Sequence, residues 1–287
     1  MDTLSVPKCV VITGCSSGFG RVTALYLAQH GWQVFATVRR ETDRDDLLAE
    51  AQDLGCRERL AVLLCDITWE EQVREMAAVL MGAVPRLNAL VNNACAAFPA
   101  PLEILPLDAL RAQLEINVVG QLAVTQALLP LLKSARGTII NVSSDSGRVV
   151  FPIAGAYHMS KFALEAMSDA LRIELAPFGV RVVVLEPGAS LTAIWATSRQ
   201  RALAGMIGID ASAYAPLIGA VDQAADRRAR AGFPPRAFAE TVLKILNSHH
   251  PRVRYAIPWQ TGALIAIRRL LPDAGWDWFV RRALKWQ

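Results

Sequence analysis

Short runs of β-branched apolar residues alternate along this chain with longer stretches in which apolar positions recur every three to four residues. The short runs predict strands: KCVVIT, QVFATV, LAVLLC, NALV, GTIINVS, VRVVVLE and, at 253–257, VRYAI. The longer stretches predict helices at about 18–30, 43–54, 69–83, 107–134, 155–177 and 236–248. Several strands are apolar on both faces, as expected where helices cover both sides of a parallel sheet. The order is βαβαβ. It predicts an α/β, Rossmann-type doubly wound parallel sheet of about seven strands with helices on both faces, and a single domain over residues 1–287.

The rhythm fails in two places. Residues 188–235 carry Ala, Gly and Pro with Arg227, Arg228 and Arg230, and no clear strand, which predicts a lid or binding loop over a substrate. Residues 262–287 form a C-terminal extension, two short helices separated by Pro272. Its Trp276, Trp278, Phe279, Leu284 and Trp286 are interleaved with Arg268, Arg269, Arg281, Arg282 and Lys285. Such a helix can close a site flank, join an oligomer or lie on an anionic membrane surface. Folding onto the body is the expectation, with the Trp side chains buried over the open flank of the site.

Composition narrows the classes. A chain of 287 residues, 53% hydrophobic and 20% charged, buries a large core and is not disordered. The net charge of +4 is small and no Lys/Arg block occurs, which sets nucleic acid aside. The start, MDTLSVPK, lacks the apolar core of a signal peptide, and no stretch of 18 uncharged apolar residues predicts a spanning helix. Five cysteines without metal-ligand spacing predict no metal site and a reducing cytoplasm.

The chemistry gathers at strand ends. VVITGCSSGFGR places Gly14, Gly18 and Gly20 between the first strand and the first helix. Gly14 supplies a tight turn, while Gly18 and Gly20 leave room for a pyrophosphate facing the helix N-terminus. Ser16 and Ser17 cap that helix or bond a phosphate. The second strand ends in Arg39 and Arg40, with no acid before Glu41. A guanidinium there matches a 2′-phosphate, so NADP(H) is expected ahead of NAD(H). In YHMSK, Tyr157 and Lys161 stand one helical turn apart on one face. That spacing also occurs in any amphipathic helix, so the rest of the chain must decide whether it is functional.

Taken together and in order, these segments resemble the short-chain dehydrogenases/reductases of the classical type over about residues 7–190. The resemblance implies a cofactor turn at TGCSSGFG, with Gly14, Ser16, Ser17, Gly18, Phe19 and Gly20. In CDIT it implies an adenine contact at Asp66 beside Ile67. NNAC places Asn93, Ala94 and Cys95 where the family usually has N-N-A-G. Catalytic roles are implied for Asn117 in INVVG, Ser144 in NVSSDSG, and Tyr157 and Lys161 in YHMSK. EPGASLT resembles the segment over the nicotinamide, with Pro187, Gly188 and Thr192.

On this reading Tyr157 exchanges a proton with the substrate. Lowering its pKa from roughly 10 by about 3 units needs roughly 4 kcal/mol favouring the phenolate, and Lys161 is expected to supply much of it. Ser144 bonds the substrate oxygen, with Ser143 as the rival on the opposite face. Asn117 is a poor mid-helix choice and marks a local bend that holds a water for proton relay. Cys95 adds a sulfur where the cofactor comes close, with a nucleophilic role as the remote alternative.

Over its whole length the chain most resembles the 17β-hydroxysteroid/retinol dehydrogenase-like branch. That implies a small hydrophobic alcohol or ketone framed by Val149, Val150, Phe151, Pro152, Ile153, Ile194, Trp195 and Met206, with Val150 and Trp195 in contact with it. A homodimer or homotetramer is expected. The rivals are a cofactor-bound sensor or scaffold without turnover, and a peripheral membrane-binding protein.

Overall fold

A computed structural model of the chain describes residues 7–190, Ser198 and 212–286. All seven expected strands are present: β1 (Cys9–Ile12), β2 (Gln33–Val38), β3 (Leu60–Leu64), β4 (Ala89–Asn92), β5 (Thr138–Val142), β6 (Arg181–Pro187) and β7 (Arg254–Ile257). They form one sheet in the order β3-β2-β1-β4-β5-β6-β7 with every pair parallel. The order reverses between β1 and β4. Ligands of open α/β sheets bind at such a switch point, outside the carboxyl ends of the strands.

The helices are α1 (Gly18–Gln29), α2 (Glu41–Asp53), α3 (Glu70–Ala83), α4 (Leu107–Leu114), α5 (Gly120–Ala135), α6 (Gly155–Leu175), α7 (Ala215–Arg230), α8 (Pro235–Asn247), α9 (Trp259–Leu270) and α10 (Asp273–Leu284). They cover both faces of the sheet. On one face Leu25, Leu27, Leu47, Phe238, Val242 and Ile245 meet Val10, Ile12, Val34 and Ile140. On the other, Val73, Met76, Leu80, Val124, Leu128 and Leu171 meet Val11, Leu90, Ile139 and Val182. The five inner strands β2, β1, β4, β5 and β6 are thus buried on both sides, which explains their apolar runs, while the edge strands β3 and β7 are only partly covered.

Two expectations change. The predicted helix over 107–134 is interrupted: a π-helical turn, Glu115–Val119, separates α4 from α5. A Cβ on Gly120 would lie 2.7 Å from the Ile67 carbonyl oxygen, so only Gly lets α5 start directly on the loop after β3. The run Leu107–Ala135 is long and apolar enough to cross a membrane by length and composition, and its Val124, Leu128, Leu131 and Leu132 are buried in the second core. The 188–235 segment was expected as a loop, but its described part from Ala215 to Arg230 is α7. Ala-rich sequence with Pro216 in the first turn and three arginines in the last suits a helix better than a loop.

Behind β6 lies a buried ionic cluster. Glu165 of α6 and Glu186 at the end of β6 are both buried, with Arg148 and Arg254 facing them. Each Arg approaches Glu186 only to 3.7 Å, beyond hydrogen-bond reach. Burial and then the Glu165 carboxylate push Glu186 from 4.5 up to about 7, against the pull of both arginines. Between those values the folded chain holds a proton that the unfolded chain has released. This contribution to stability is therefore full below 4.5 and lost as the pH rises through about 7. Scanning calorimetry should show Tm falling between about pH 5 and 8, and Glu186→Gln should remove much of that fall. An equally steep fall in the variant would assign the slope to another group.

Candidate active site

The turn after β1 is shaped by backbone that L-residues avoid: Gly14 has φ +70° and Gly18 φ +58°. A Cβ at Gly14 would come 2.7 Å from the Cα of Ala94, and one at Gly20 would come 2.5 Å from the Asn93 Nδ2. The turn therefore lies against the loop that follows β4. Thr13 fastens the two: its Oγ1 accepts from the backbone N–H of Asn93 (2.9 Å) and Ala94 (3.0 Å). The Asn93 amide donates back to the carbonyls of Thr13 (2.9 Å) and Gly14 (3.1 Å). Thr37 of β2 holds the other side, its hydroxyl accepting from Gly14 N–H at 3.3 Å. Neither threonine was singled out in the sequence. Ser17 occupies the N-cap position of α1, yet its hydroxyl makes no cap bond, and no acid lies in the first turn. The open N–H groups and positive end of α1 suit an anion.

This turn forms one end of a cleft of about 810 Å³. Its walls bring together most of the expected cofactor residues: Gly14, Ser16, Ser17, Gly18, Phe19, Arg39, Arg40, Asp66, Ile67, Asn93, Ala94, Cys95, Tyr157, Lys161 and Pro187. Gly20 lies behind the turn, packing α1 onto it. Gly188 is fixed by its N–H, which donates to the Ile257 carbonyl at 2.7 Å, and a Cβ there would strike the Thr261 hydroxyl. Thr192 and Trp195, like Ile194 and Met206, lie outside the described residues.

The two arginines after β2 differ. Arg40 makes two bonds to the Asp43 carboxylate, at 2.8 and 2.7 Å, which hold Asp43 below the usual carboxylate range. Arg39 has only an ion pair at 3.7 Å to Asp66 and is the freer guanidinium. Asp43 also lines the cleft, an acid that reading only as far as Glu41 missed. Asp66 is partly committed, its Oδ1 accepting from the N–H and hydroxyl of Thr68 at 3.1 and 2.8 Å.

Two residues beyond β5, buried behind the far end of the cleft, Ser144 has extended backbone and caps the short turn Asp145–Gly147. Its Oγ donates to Asp145 Oδ1 (2.9 Å) and has the Pro187 carbonyl at 3.3 Å, and its nearness pulls the Tyr157 pKa down. Ser143, the rival, lines the cleft itself. Lys161 is buried, donates to the Val142 carbonyl at 2.8 Å and stands 5.6 Å from the centre of the Tyr157 ring.

The expected acidity of Tyr157 reverses. Its pKa is raised well above 10, chiefly by burial and then by Cys95, with Asp145 adding and the Ser144 bond opposing. In the protein by itself, Lys161 does not overcome burial. Cys95, half-buried beside the phenol, acts here on Tyr157 as well as narrowing the cleft.

Asn117 sits in the π turn and is buried, not open to the cleft. Its Oδ1 accepts from Ala96 N–H at 2.9 Å, and its Nδ2 donates to the Ala96 carbonyl and Ser160 hydroxyl, both at 3.0 Å. Gln113 and Gln121 join it, donating to the carbonyls of Ala96 (2.5 Å) and Ala94. These two were also missed, although buried Gln at helical spacing from Asn117 is a signal. His158, which burial holds below its ordinary pKa, ties the Ser–Tyr loop to α6. Its Nε2 accepts from Phe151 N–H and its Nδ1 faces the Ser146 carbonyl, both at 3.0 Å.

The tail reaches the same loop. Trp276 is only 4% exposed, and its Nε1–H donates to the Val150 carbonyl at 3.1 Å. Trp286 stacks on Tyr214, centroids 6.4 Å apart. The burial expected for the other aromatics is not found: Trp278 is 65% exposed and Phe279 48%. Trp278 lies on the outer face of α10 and turns away from the body, while Phe279 stays beside Trp276 with its ring half exposed.

The residues fit a dinucleotide: a Gly turn at a helix start without acids, a cleft along the switch point, and cationic side chains at both ends. Comparison with known proteins agrees with that geometry. A family profile described as short chain dehydrogenase matches residues 8–203. Human retinol dehydrogenase 16 is 34% identical over 92% of this chain and 85% of its own length. A protein named NADPH-dependent 3-dehydrocapnine reductase, from Ornithobacterium rhinotracheale, is 32% identical over 97% of this chain and 98% of its own. A crystal structure of a short-chain dehydrogenase from Streptomyces avermitilis superposes with a TM-score of 0.77 at 30% identity, covering 96% of this chain and 98% of that one.

The clamp around Asn117 yields a stability expectation. Asn117→Ala strips the buried Ala96 N–H of its acceptor and Ser160 of its donor, costing about 2–4 kcal/mol of folding free energy. Urea unfolding measures it. A loss under about 1 kcal/mol would mean that water replaces the clamp.

Proposed function

The chain belongs to the short-chain dehydrogenase family, and within it we propose an NADP(H)-dependent oxidoreductase acting on a hydrophobic secondary alcohol or its ketone, steroid- or retinoid-like in bulk. The observation that carries the reading is the meeting of Tyr157 and Lys161 in the wall of the dinucleotide cleft beyond the carboxyl end of β5, with Ser144 buried just behind that wall. Bound in that cleft, the nicotinamide would supply hydride to the carbonyl carbon or take it from the carbinol. Tyr157 gives its proton to the substrate oxygen in reduction and takes one in oxidation. Ser144 turns its hydroxyl to that oxygen as charge develops there. Lys161 carries its positive charge into a dry pocket beside the phenol and holds the ribose hydroxyls. Asn117 contributes by fixing the Cys95–Ala96 wall and α6.

Arg39, less committed than Arg40, is the partner for a 2′-phosphate, and the NADPH-dependent relative supports that choice. Asp43 in the same cleft supports NAD(H) as second. The loop Val149–Ile153 with Trp276 behind it offers the substrate an apolar wall, in line with the retinol dehydrogenase relative. Assembly as a homodimer or homotetramer in the cytoplasm completes the reading, and five free cysteines suit a reducing compartment. For the tail a second reading has its own support. Trp259 (76% exposed) and Leu270 (84%) stand out from α9, whose last turn carries Arg268 and Arg269, and Arg282 lies 5.8 Å from the exposed Trp278 ring, a pattern suited to an anionic membrane surface. Flotation with anionic liposomes decides it.

Tyr157→Phe should abolish turnover of a ketone panel followed by NADPH absorbance while leaving NADPH affinity nearly intact. Retention of more than about a tenth of the wild-type kcat would remove Tyr157 as the acid. Arg39→Asp should shift preference from NADP(H) toward NAD(H) by removing the phosphate partner and adding a ribose acceptor. Calorimetric Kd values for both nucleotides that barely move would leave Arg39 solvated.

A further inference from the structure

Asp145 is a buried carboxylate one residue beyond Ser144, and the residues already assigned give it no task. Its Oδ1 accepts from the hydroxyls of Ser144 (2.9 Å) and Ser146 (3.3 Å). Its Oδ2 accepts from Arg228 at 2.5 Å. Arg228 comes from the last turn of α7, 83 residues further along the chain, and its guanidinium also lies 5.5 Å from the centre of the Phe151 ring. A desolvated carboxylate beside a phenol that must lose a proton is a handicap unless its charge is matched. A single guanidinium, placed on the side away from Ser144, does the matching.

We propose that Arg228 is a positioning residue for the reaction: by holding the Asp145 carboxylate it fixes the Ser144 hydroxyl and sets how readily Tyr157 ionises. The role rests on the proton-transfer reading of Tyr157 above. Arg228 and the Ser144 hydroxyl both donate to the Asp145 carboxylate, and the charge of that carboxylate raises the phenol's pKa from nearby. An unmatched Asp145 would compete for the Ser144 proton that the substrate oxygen needs. It would also repel a phenolate. Paired with Arg228, it anchors Ser144 with less of that repulsion, and the guanidinium adds a favourable charge of its own. The other charged or titratable groups facing this corner are Lys161 and His158 on α6, Cys95 after β4 and Arg148 after β5. None of these four is within hydrogen-bond distance of the Asp145 carboxylate through its own side chain among the contacts found.

The test is an ultraviolet phenolate titration of the NADP⁺ complex, with Tyr157→Phe as the blank because the chain has four tyrosines. Arg228→Gln should raise the Tyr157 pKa by about 1 unit, and Asp145→Asn should lower it by a similar amount. The double variant removes both charges and should return to near the wild-type value. Arg228→Lys, which keeps the charge, should stay within about half a unit of wild type. An unmoved pKa in Arg228→Gln, or a rise that Asp145→Asn does not reverse, overturns the coupling. Should Arg228→Gln fail to fold, Asp145→Asn alone decides: no fall in its pKa overturns the proposal. Turnover by Tyr157→Phe would overturn the proton-donor reading and this role with it, whereas a dead Tyr157→Phe with unshifted titrations overturns the coupling alone.

Discussion

The hydroxyl of Thr13 holds two loops side by side, and the rest of the cleft depends on that. β1 and β4 are neighbours at the point where strand order reverses, so their carboxyl ends open into the same space. Left alone, the turn after β1 and the loop after β4 would present unpaired backbone groups there. Thr13 and Asn93 pair them with each other through four hydrogen bonds, all between 2.9 and 3.1 Å. The approach is close enough that Gly14 has no room for a side chain against Ala94. The Gly-rich turn is thus required twice, by its positive φ angles and by the neighbour it must admit.

From that fixed wall the architecture proceeds by successive clamps. Asn117, Gln113 and Gln121 project from α4, the π turn and α5 to satisfy the backbone of residues 94–96. A π turn adds a residue to the helix and so rotates side chains that regular spacing would place elsewhere. Asn117 spans to Ser160, whose hydroxyl donates to the Tyr157 carbonyl at 2.8 Å. The cofactor wall and the helix bearing Tyr157 and Lys161 are therefore one hydrogen-bonded body. Such rigidity suits a site whose reacting groups must hold their geometry.

The sheet was legible because its five inner strands are buried on both faces and written as apolar runs, and the two edge strands keep enough of that pattern to follow them. The glycine turn, the Arg pair and the Tyr–Lys pair were legible because their chemistry is local in sequence. One miss was local: Asp43, three residues after Arg40, occupies that guanidinium and leaves Arg39 freer. The others depend on partners distant in the chain. Nothing near Tyr157 says that burial and Cys95, 62 residues earlier, will outweigh an ammonium one turn away. Asn117 looked like a group aimed at a ligand because it violates helix propensity. Its violation is repaid within the protein, by the backbone of Ala96. Helix α7 escaped for a different reason: it has few large apolar residues and buries only Leu217, so no core-facing apolar stripe marks it although its composition is helical.

The tail shows why an aromatic pattern cannot be divided by inspection. Trp276, Trp278 and Phe279 lie within one helical turn of each other, so they cannot all face the body. Trp276 wins the inward position because its indole N–H finds the Val150 carbonyl and its ring meets the edge of Phe151 at 5.6 Å. A buried indole needs such an acceptor. Phe279 follows it partway, at 5.6 Å from Trp276, and Trp278 is left outside. The same helix therefore braces the substrate loop with one ring and offers another to its surroundings. Closing the flank and touching a second surface are not rival uses of the tail, since they draw on opposite faces of it.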